Sequence, residues 1–159
     1  MSITPCLWFN HNAVDAAHFY VALLPNSRIL AEVPAGGDNP STKQGQVLMV
    51  EVELDGQRLT LLNGGPQFPF TEAISLQFPC ATQELADHFY DALIADGGEE
   101  SQCGWLKDRF GLSWQVYPEQ MGQYIGGPDA AGAARAMAAM LDMRRIDLDA
   151  LRRAYEGAA

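Results

Sequence analysis

An internal repeat constrains the fold of this chain more than any other feature of its sequence. Residues 18–24, HFYVALL, recur seventy positions later as residues 88–94, HFYDALI. Both copies lie in segments whose apolar side chains follow the i, i+3, i+4, i+7 spacing, which predicts a helix in each. A strand-like run precedes each helix, at 3–9 and at 73–80. We therefore expect a duplicated structural module.

The segments after the two helices extend this parallel. Asp55 and Gly56 separate two strand-like runs, and this pair favours a two-residue hairpin whose central positions need positive φ. Asn12 and Thr82 are the predicted N-caps of the two helices. Each helix is followed by three strand-like runs, so the expected order is β-α-β-β-β, twice. These runs lie at 27–34, 46–54, 57–62, 99–103, 105–109 and 112–117.

The composition changes after residue 118. Alanine dominates the segment that follows, and a last helix is predicted after the N-cap Asp147. We expect one α+β domain over 1–159, with module one at 1–66, module two at 67–118 and a helical tail at 119–159. The tail is expected to pack on the sheet or on a partner subunit. The apolar stripe of its first helix comprises Ala133, Ala134, Met137, Met140 and Leu141.

The charge of the chain limits the kinds of partner it can bind, and its cysteine content indicates the compartment. Ten Lys and Arg stand against twenty Asp and Glu, a formal net charge of −10. Because such a surface repels phosphate, neither nucleic acid nor an anionic membrane is expected as a partner. The sequence shows no secretion signal and no apolar run near the roughly 18 residues of a membrane span. Three cysteines without metal-like spacing indicate free thiols in a reducing cytoplasm.

Several short sequence motifs also resemble those of a known family. The segments PCLWF (5–9), LNGGP (62–66), EAIS (72–75) and CGWLKDRFGLSWQ (103–115) resemble the PhnB-like branch of the glyoxalase/bleomycin-resistance superfamily. This superfamily is also called vicinal oxygen chelate, and the branch often carries the label demethylubiquinone methyltransferase-like. The resemblance implies a cupped mixed sheet, completed as a homodimer, that holds a small ligand. In enzyme members, His, Gln or Glu from the first and last strands of each module bind a divalent metal.

The positions of those metal ligands can be placed with the repeat as a guide. They fall at Pro5 and Thr60 in module one and at Ser75 and Gln115 in module two. Proline and serine cannot replace histidine, and threonine and glutamine are weak neutral ligands. We therefore expect no bound metal and no cofactor.

Aromatic and polar residues of the strands are the candidates for a ligand pocket. Strand tryptophans line apolar pockets, although core packing is their more common role. Gln115 is the favoured residue, because it stands at a former ligand position and would make one hydrogen bond without acid–base chemistry. The candidates are Trp8, Thr60, Asn63, Ser75, Trp105, Trp114 and Gln115.

Cys103 is the candidate for a catalytic residue. A nearby cation such as Arg109 would lower the thiol pKa and make Cys103 reactive. The alternative is a small buried hydrophobic residue, which is the usual role of a free cysteine.

Two function hypotheses follow. The first is a homodimeric protein of the PhnB-like type that binds a small organic molecule without metal and without catalysis. The second is a lyase, isomerase or dioxygenase-type enzyme of the superfamily, with metal ligands in another register or with Cys103 as the reactive group. Methyl transfer is not expected, because neither Gly36-Gly37 nor Gly64-Gly65 opens a helix after a buried strand, as a nucleoside cofactor requires. The sequence does not name the ligand.

Overall fold

The computed structural model describes residues 3–158, which form two compact units. Unit one ends at Phe70 and unit two begins at Thr71, so the helical tail belongs to unit two.

Unit one is a four-stranded mixed sheet with one helix. Its strands have the spatial order β1-β4-β3-β2, in which β1 and β4 are parallel and the other pairs antiparallel. Asp55 and Gly56 have φ of 44° and 83°, which confirms the two-residue hairpin between β3 and β4. The elements are β1 (Cys6–Phe9), α1 (Ala13–Leu23), β2 (Arg28–Pro34), β3 (Val47–Leu54) and β4 (Gln57–Asn63).

Unit two repeats this topology. Its sheet has the order β5-β8-β7-β6, again with the first and last strands parallel. The duplicated β-α-β-β-β module and the α+β class are thereby confirmed. The elements are β5 (Leu76–Cys80), α2 (Gln83–Ile94), β6 (Glu99–Glu100), β7 (Trp105–Lys107) and β8 (Ser113–Pro118).

Each sheet packs one face against the helix of its own unit. In unit one, alternate residues of β3 and β4, such as Val50 and Leu61, are fully buried together with Tyr20 of α1. In unit two, Leu106 and Trp114 are buried on the corresponding face, as is Tyr90 of α2. Because side chains alternate along a strand, the intervening residues lie on the other face of each sheet, here named the opposite face.

The opposite faces carry polar, charged and aromatic residues that could contact a ligand. In unit one they include Cys6, Trp8, Glu51, Glu53, Arg58 and Thr60. In unit two they include Gln77, Trp105, Lys107, Ser113 and Gln115.

The tail consists of three helices, α3 (Met121–Ile125), α4 (Ala130–Leu141) and α5 (Leu148–Glu156). The Asp147 side chain accepts a hydrogen bond from the Ala150 amide at 2.9 Å, which confirms this N-cap. Helix α3 was not predicted, because five residues carry too little periodicity to be recognised.

Most of the predicted apolar stripe of α4 stays at least partly exposed in the single chain. Gly132 and Ala136 are the buried residues of α4, whereas Met137 and Leu141 remain 38% and 57% exposed. Gly132 lies so close to the α5 backbone that a Cβ there would stand 2.8 Å from the Tyr155 carbonyl oxygen. The close approach of two helices therefore selects the smallest side chains of α4 for burial, and the larger apolar ones face outward. Within residues 3–158, no helix combines the length and apolar character that crossing a bilayer requires.

Candidate functional site

The two predicted ligand positions of unit two lie side by side. Gln115 of β8 donates a hydrogen bond from Nε2 to Oγ of Ser75, just before β5, at 2.8 Å. Gln115 stands between its strand partners Gln77 on β5 and Trp105 on β7. Parallel pairing of the first and last strands produces this arrangement, since it brings residues forty positions apart into contact.

The equivalent positions of unit one are also adjacent. The Thr60 amide donates to the Pro5 carbonyl oxygen at 2.9 Å. Thr60 further lines a cavity of about 250 Å³, together with Thr4, Leu30, Glu51, Val52, Arg58 and Leu59.

These residues do not fit a metal. Serine, threonine and glutamine are neutral, Ser75 and Gln115 bond to each other, and Pro5 has no side-chain donor. In the part of the chain that the structure describes, no three His, Cys, Asp or Glu side chains cluster as metal ligands would.

A second cavity, of about 120 Å³, lies in unit two beside Gln115. Trp105 and Lys107, neighbours on the opposite face, contribute to its wall, as does Ser113 of β8. A hydrogen bond to Glu72 raises the pKa of the Lys107 ammonium, and the same bond lowers the pKa of the Glu72 carboxyl. The cavity is lined by Glu72, Glu99, Glu100, Ser101, Trp105, Leu106, Lys107 and Ser113.

Among the residues that line this cavity, Trp105 was predicted from the sequence as a pocket residue. Ser113 and the charged residues were not. The signal was present in the alternation of β8, because Ser113 precedes Gln115 by two positions and therefore shares its face.

Trp8 is half-buried on the opposite face of unit one and is held by the segment after β4. Its indole N–H donates to the Gly65 carbonyl oxygen at 2.7 Å, and its ring meets Phe68 edge-on at 5.0 Å. A Cβ on Gly64 would stand 2.2 Å from the Trp8 ring, so only glycine allows this approach. The LNGGP motif thus positions an aromatic side chain.

Trp114, one of the residues predicted to line a pocket, is held in the core of unit two. Its side chain lies on the helix face of β8 and is 2% exposed. The indole N–H donates to Oδ2 of Asp108 at 2.8 Å. Trp114 and Trp105 point to opposite faces because they occupy strand positions of opposite parity, as their pairing with Leu106 and Gln115 shows.

Asn63, also predicted to line a pocket, makes hydrogen bonds to two backbone groups of unit one. The side chain is 6% exposed. Its Oδ1 accepts from the Ala13 amide at 2.9 Å and its Nδ2 donates to the Val47 carbonyl oxygen at 2.9 Å. Asn63 thereby satisfies a free amide at the start of α1, a role the sequence had assigned to Asn12, which makes no capping bond. The predicted cap Thr82 does accept from the Leu85 amide at 3.2 Å.

Cys103 lies at the junction with the tail. Its backbone adopts φ of 57°, its amide donates to the Met143 carbonyl oxygen at 2.8 Å, and its thiol lies 3.4 Å from the Met140 carbonyl oxygen. Arg109, the cation expected to activate the thiol, forms an ion pair with Asp96 at 2.9 Å. These contacts place Cys103 where the segment after α4 packs on unit two.

Two mixed sheets of identical β-α-β-β-β topology, with the first and last strands adjacent in each, define a protein of the glyoxalase/bleomycin-resistance class. The sequence model of the 3-demethylubiquinone-9 3-methyltransferase family matches residues 1–117. The chain belongs to this family, in its PhnB-like branch.

The chain is also similar to several solved structures. The PhnB protein from Bacillus cereus is 31% identical, with a TM-score of 0.64 over 72% of this chain and 97% of that one. A protein from Pseudomonas aeruginosa is 23% identical, with a TM-score of 0.58 over 72% and 94% of the two chains. A glyoxalase/bleomycin resistance protein from Albidiferax ferrireducens is 20% identical, with a TM-score of 0.44 over 71% and 95%. No curated protein matches the chain.

Proposed function

We propose that this protein binds a small organic molecule on the opposite face of unit two, without a metal and without catalysing a reaction. The observation that carries the proposal is the bonded pair Ser75 and Gln115 at the two positions where enzymes of this fold would place metal ligands. Neutral side chains there favour hydrogen bonding to a ligand over Lewis-acid chemistry.

Gln115 is the central residue of the proposed site. Its amide nitrogen holds Ser75, while among residues 3–158 its side-chain oxygen has no hydrogen-bond partner. Gln115 is a half-buried residue next to its strand partner Trp105, and its side-chain oxygen accepts a hydrogen bond from the ligand. The aromatic ring supplies apolar contact area next to this polar group.

Methyl transfer, which the family description names, is not part of the proposal. Gly64 and Gly65 follow β4 and lead into the segment that holds Trp8, and Gly36 and Gly37 lie between β2 and β3. A nucleoside cofactor instead favours glycines that begin a helix after a parallel strand.

The binding proposal predicts stabilisation by some members of a small-molecule library in a thermal-shift screen. A ligand at about one hundred times its Kd is expected to raise the Tm by roughly 5–10 °C. Gln115→Ala is expected to abolish these shifts, because it removes both the ligand acceptor and the bond that positions Ser75. The matched control is Gln57→Ala at the exposed β3–β4 hairpin, which should leave every shift in place.

The same screen contains the outcomes that would refute the proposal. If the Gln115→Ala variant retained the thermal shifts, the binding site would lie elsewhere in the protein. Stoichiometric metal in protein purified without chelators, or turnover of a stabilising compound, would favour the enzyme hypothesis.

We further propose that the protein is a cytoplasmic homodimer. The exposed Met137 and Leu141 of α4 support a second subunit, because apolar side chains of this size gain by burial. Light scattering after size exclusion is expected to give the mass of two chains, and Leu141→Glu is expected to halve it. Wild-type protein with the mass of one chain would contradict the dimer.

A further inference from the structure

The small cavity of unit two, lined by Glu72, Glu99, Glu100, Ser101, Trp105, Leu106, Lys107 and Ser113, is named the polar cavity below. We infer that the polar cavity takes a positively charged amine group of the ligand. This inference rests on the proposed function and adds to it the chemical class of the ligand.

The first observation in favour of a ligand in the polar cavity is the buried hydroxyl of Ser113. The residue is 1% exposed, and within the described range 3–158 its buried Oγ has no hydrogen-bond partner. A buried hydroxyl without a partner is destabilising, so native proteins rarely retain one without a reason. Since Ser113 lines the polar cavity, a ligand entering there reaches a hydroxyl ready to accept its hydrogen bond.

Comparison of the two units shows that the unpartnered hydroxyl stands at a position where unit one has an ion-paired side chain. Thr60 and Gln115 occupy equivalent register positions, which makes Arg58 the counterpart of Ser113 and Glu53 the counterpart of Lys107. In unit one, Arg58 and Glu53 form an ion pair at 3.8 Å. In unit two, Lys107 pairs with Glu72 instead, and the serine is left without a partner.

The charges around the polar cavity favour a ligand group of positive charge. Glu72 is neutralised by Lys107, and Glu100 lies 3.4 Å from Arg144. Glu99 faces Lys107 across the β6–β7 pair and interacts with its charge. The three carboxylates of Glu72, Glu99 and Glu100 nevertheless stand against only two cations, Lys107 and Arg144, which leaves one negative charge uncompensated at the cavity. A cation is favoured and an anion is repelled there.

Trp105 and the cavity size define the shape of the cation. Trp105 contributes to the wall, and the face of a tryptophan ring attracts ammonium groups. A volume of about 120 Å³ is close to the space that four water molecules occupy in the liquid, which suits a head group rather than a whole ligand. An ammonium there donates hydrogen bonds to Ser113 Oγ and Glu99.

The test uses isotopically labelled full-length protein and three probes of equal length, n-propylammonium, n-propanol and propionate. We expect n-propylammonium alone, at millimolar concentration, to shift the Trp105 indole and Ser113 amide resonances in a saturable manner. Glu99→Gln and Ser113→Ala are each expected to weaken this binding about tenfold. Ser113→Ala is also expected to raise the Tm by roughly 2–4 °C, because it removes an unsatisfied buried group.

Glu119→Gln is the matched control, because it removes one exposed carboxylate after β8, outside the polar cavity. It should change the affinity less than about twofold if the effect of Glu99 is local rather than a change in net charge. Saturable shifts with propionate or propanol in place of the amine would overturn the inference. So would a Ser113→Ala variant that binds the amine as tightly as wild type.

The inference and the proposed function fail in distinguishable ways. Library compounds that require Gln115 but are uncharged or anionic, and are insensitive to Glu99→Gln, would overturn the amine assignment and leave the binding function standing. A library without any compound sensitive to Gln115→Ala would overturn the binding function itself.

Discussion

Replacing Asp108 with alanine is expected to lower the free energy of unfolding by about 4 kcal/mol. The Asp108 carboxylate is 2% exposed and serves three donors. Its Oδ1 accepts from the amides of Phe110 and Leu112 at 2.9 and 3.0 Å, and its Oδ2 accepts from the Trp114 indole at 2.8 Å. Alanine would leave these donors without their acceptor where water does not replace it, and the loss exceeds that of a surface hydrogen bond.

The conservative variant Asp108→Asn sharpens this prediction. Its amide oxygen can still accept from Phe110 and Leu112, whereas its NH₂ group cannot accept from the Trp114 indole. We expect a loss of about 2 kcal/mol, intermediate between wild type and alanine. Urea unfolding gives both values, and the indole proton resonance of Trp114 reports the lost bond directly.

Asp142→Ala is the control for Asp108→Ala. Asp142 is exposed at the end of α4, so its replacement should change stability by no more than about 0.5 kcal/mol. Equal losses in Asp108→Ala and Asp142→Ala would show that the hydrogen bonds of the 108–114 segment do not stabilise the fold.

The fold was predictable because the repeat supplied long-range information that a single sequence usually lacks. Once 18–24 and 88–94 were aligned, each strand of one module had a counterpart in the other, and parallel pairing of first and last strands set the register. The contact of Ser75 with Gln115 agrees with that register, because Gln115 pairs with Gln77 and Ser75 precedes Gln77 by two residues.

The faces of the strands were harder to predict than their pairing. Trp105 and Trp114 are both aromatic residues on strands of one sheet, yet one lies on the opposite face and the other beneath α2. Alternation in β8 puts Trp114, Val116 and Pro118 on one face and Ser113, Gln115 and Tyr117 on the other, but each set contains an aromatic residue, so the pattern alone does not identify the helix face. The position of the helix decides the outcome, and tertiary packing sets that position.

Contacts from distant parts of the chain account for the remaining errors. Asn63 satisfies the start of α1 from fifty positions away, so no rule on the residues near Ala13 could identify it. Ser113 carries no distinctive local motif, and its importance arises from what its neighbours fail to supply. The sequence feature that could have identified Ser113 is the difference between the two modules at this position, where module one has Arg58.

Replacing Ile146 with alanine is expected to lower the free energy of unfolding by about 3 kcal/mol and to loosen the tail. Ile146 is 1% exposed and lies against Gly104, where an added Cβ would stand 3.2 Å from Cγ1 of Ile146. Backbone bonds fix the same junction, from Cys103 to Met143 at 2.8 Å and from Gly104 to Arg144 at 2.7 Å. Alanine leaves a void in this closely packed contact.

The energetic effect of Ile146→Ala should concentrate on the tail, since Ile146 belongs to the segment between α4 and α5 that packs on Gly104 and bonds to Gln83. Hydrogen exchange is therefore expected to accelerate at α5 and at the Gly104 amide, while the sheet of unit one keeps its protection. The control Leu141→Ala removes a similar side chain that is 57% exposed and should cost less than about 0.5 kcal/mol in monomeric protein at low concentration. If Ile146→Ala and Leu141→Ala were equally stable, the tail would be held by its hydrogen bonds rather than by packing. Gln83→Ala measures that contribution, because Gln83 bonds Ile146 O at 2.8 Å and the Leu148 amide at 2.9 Å.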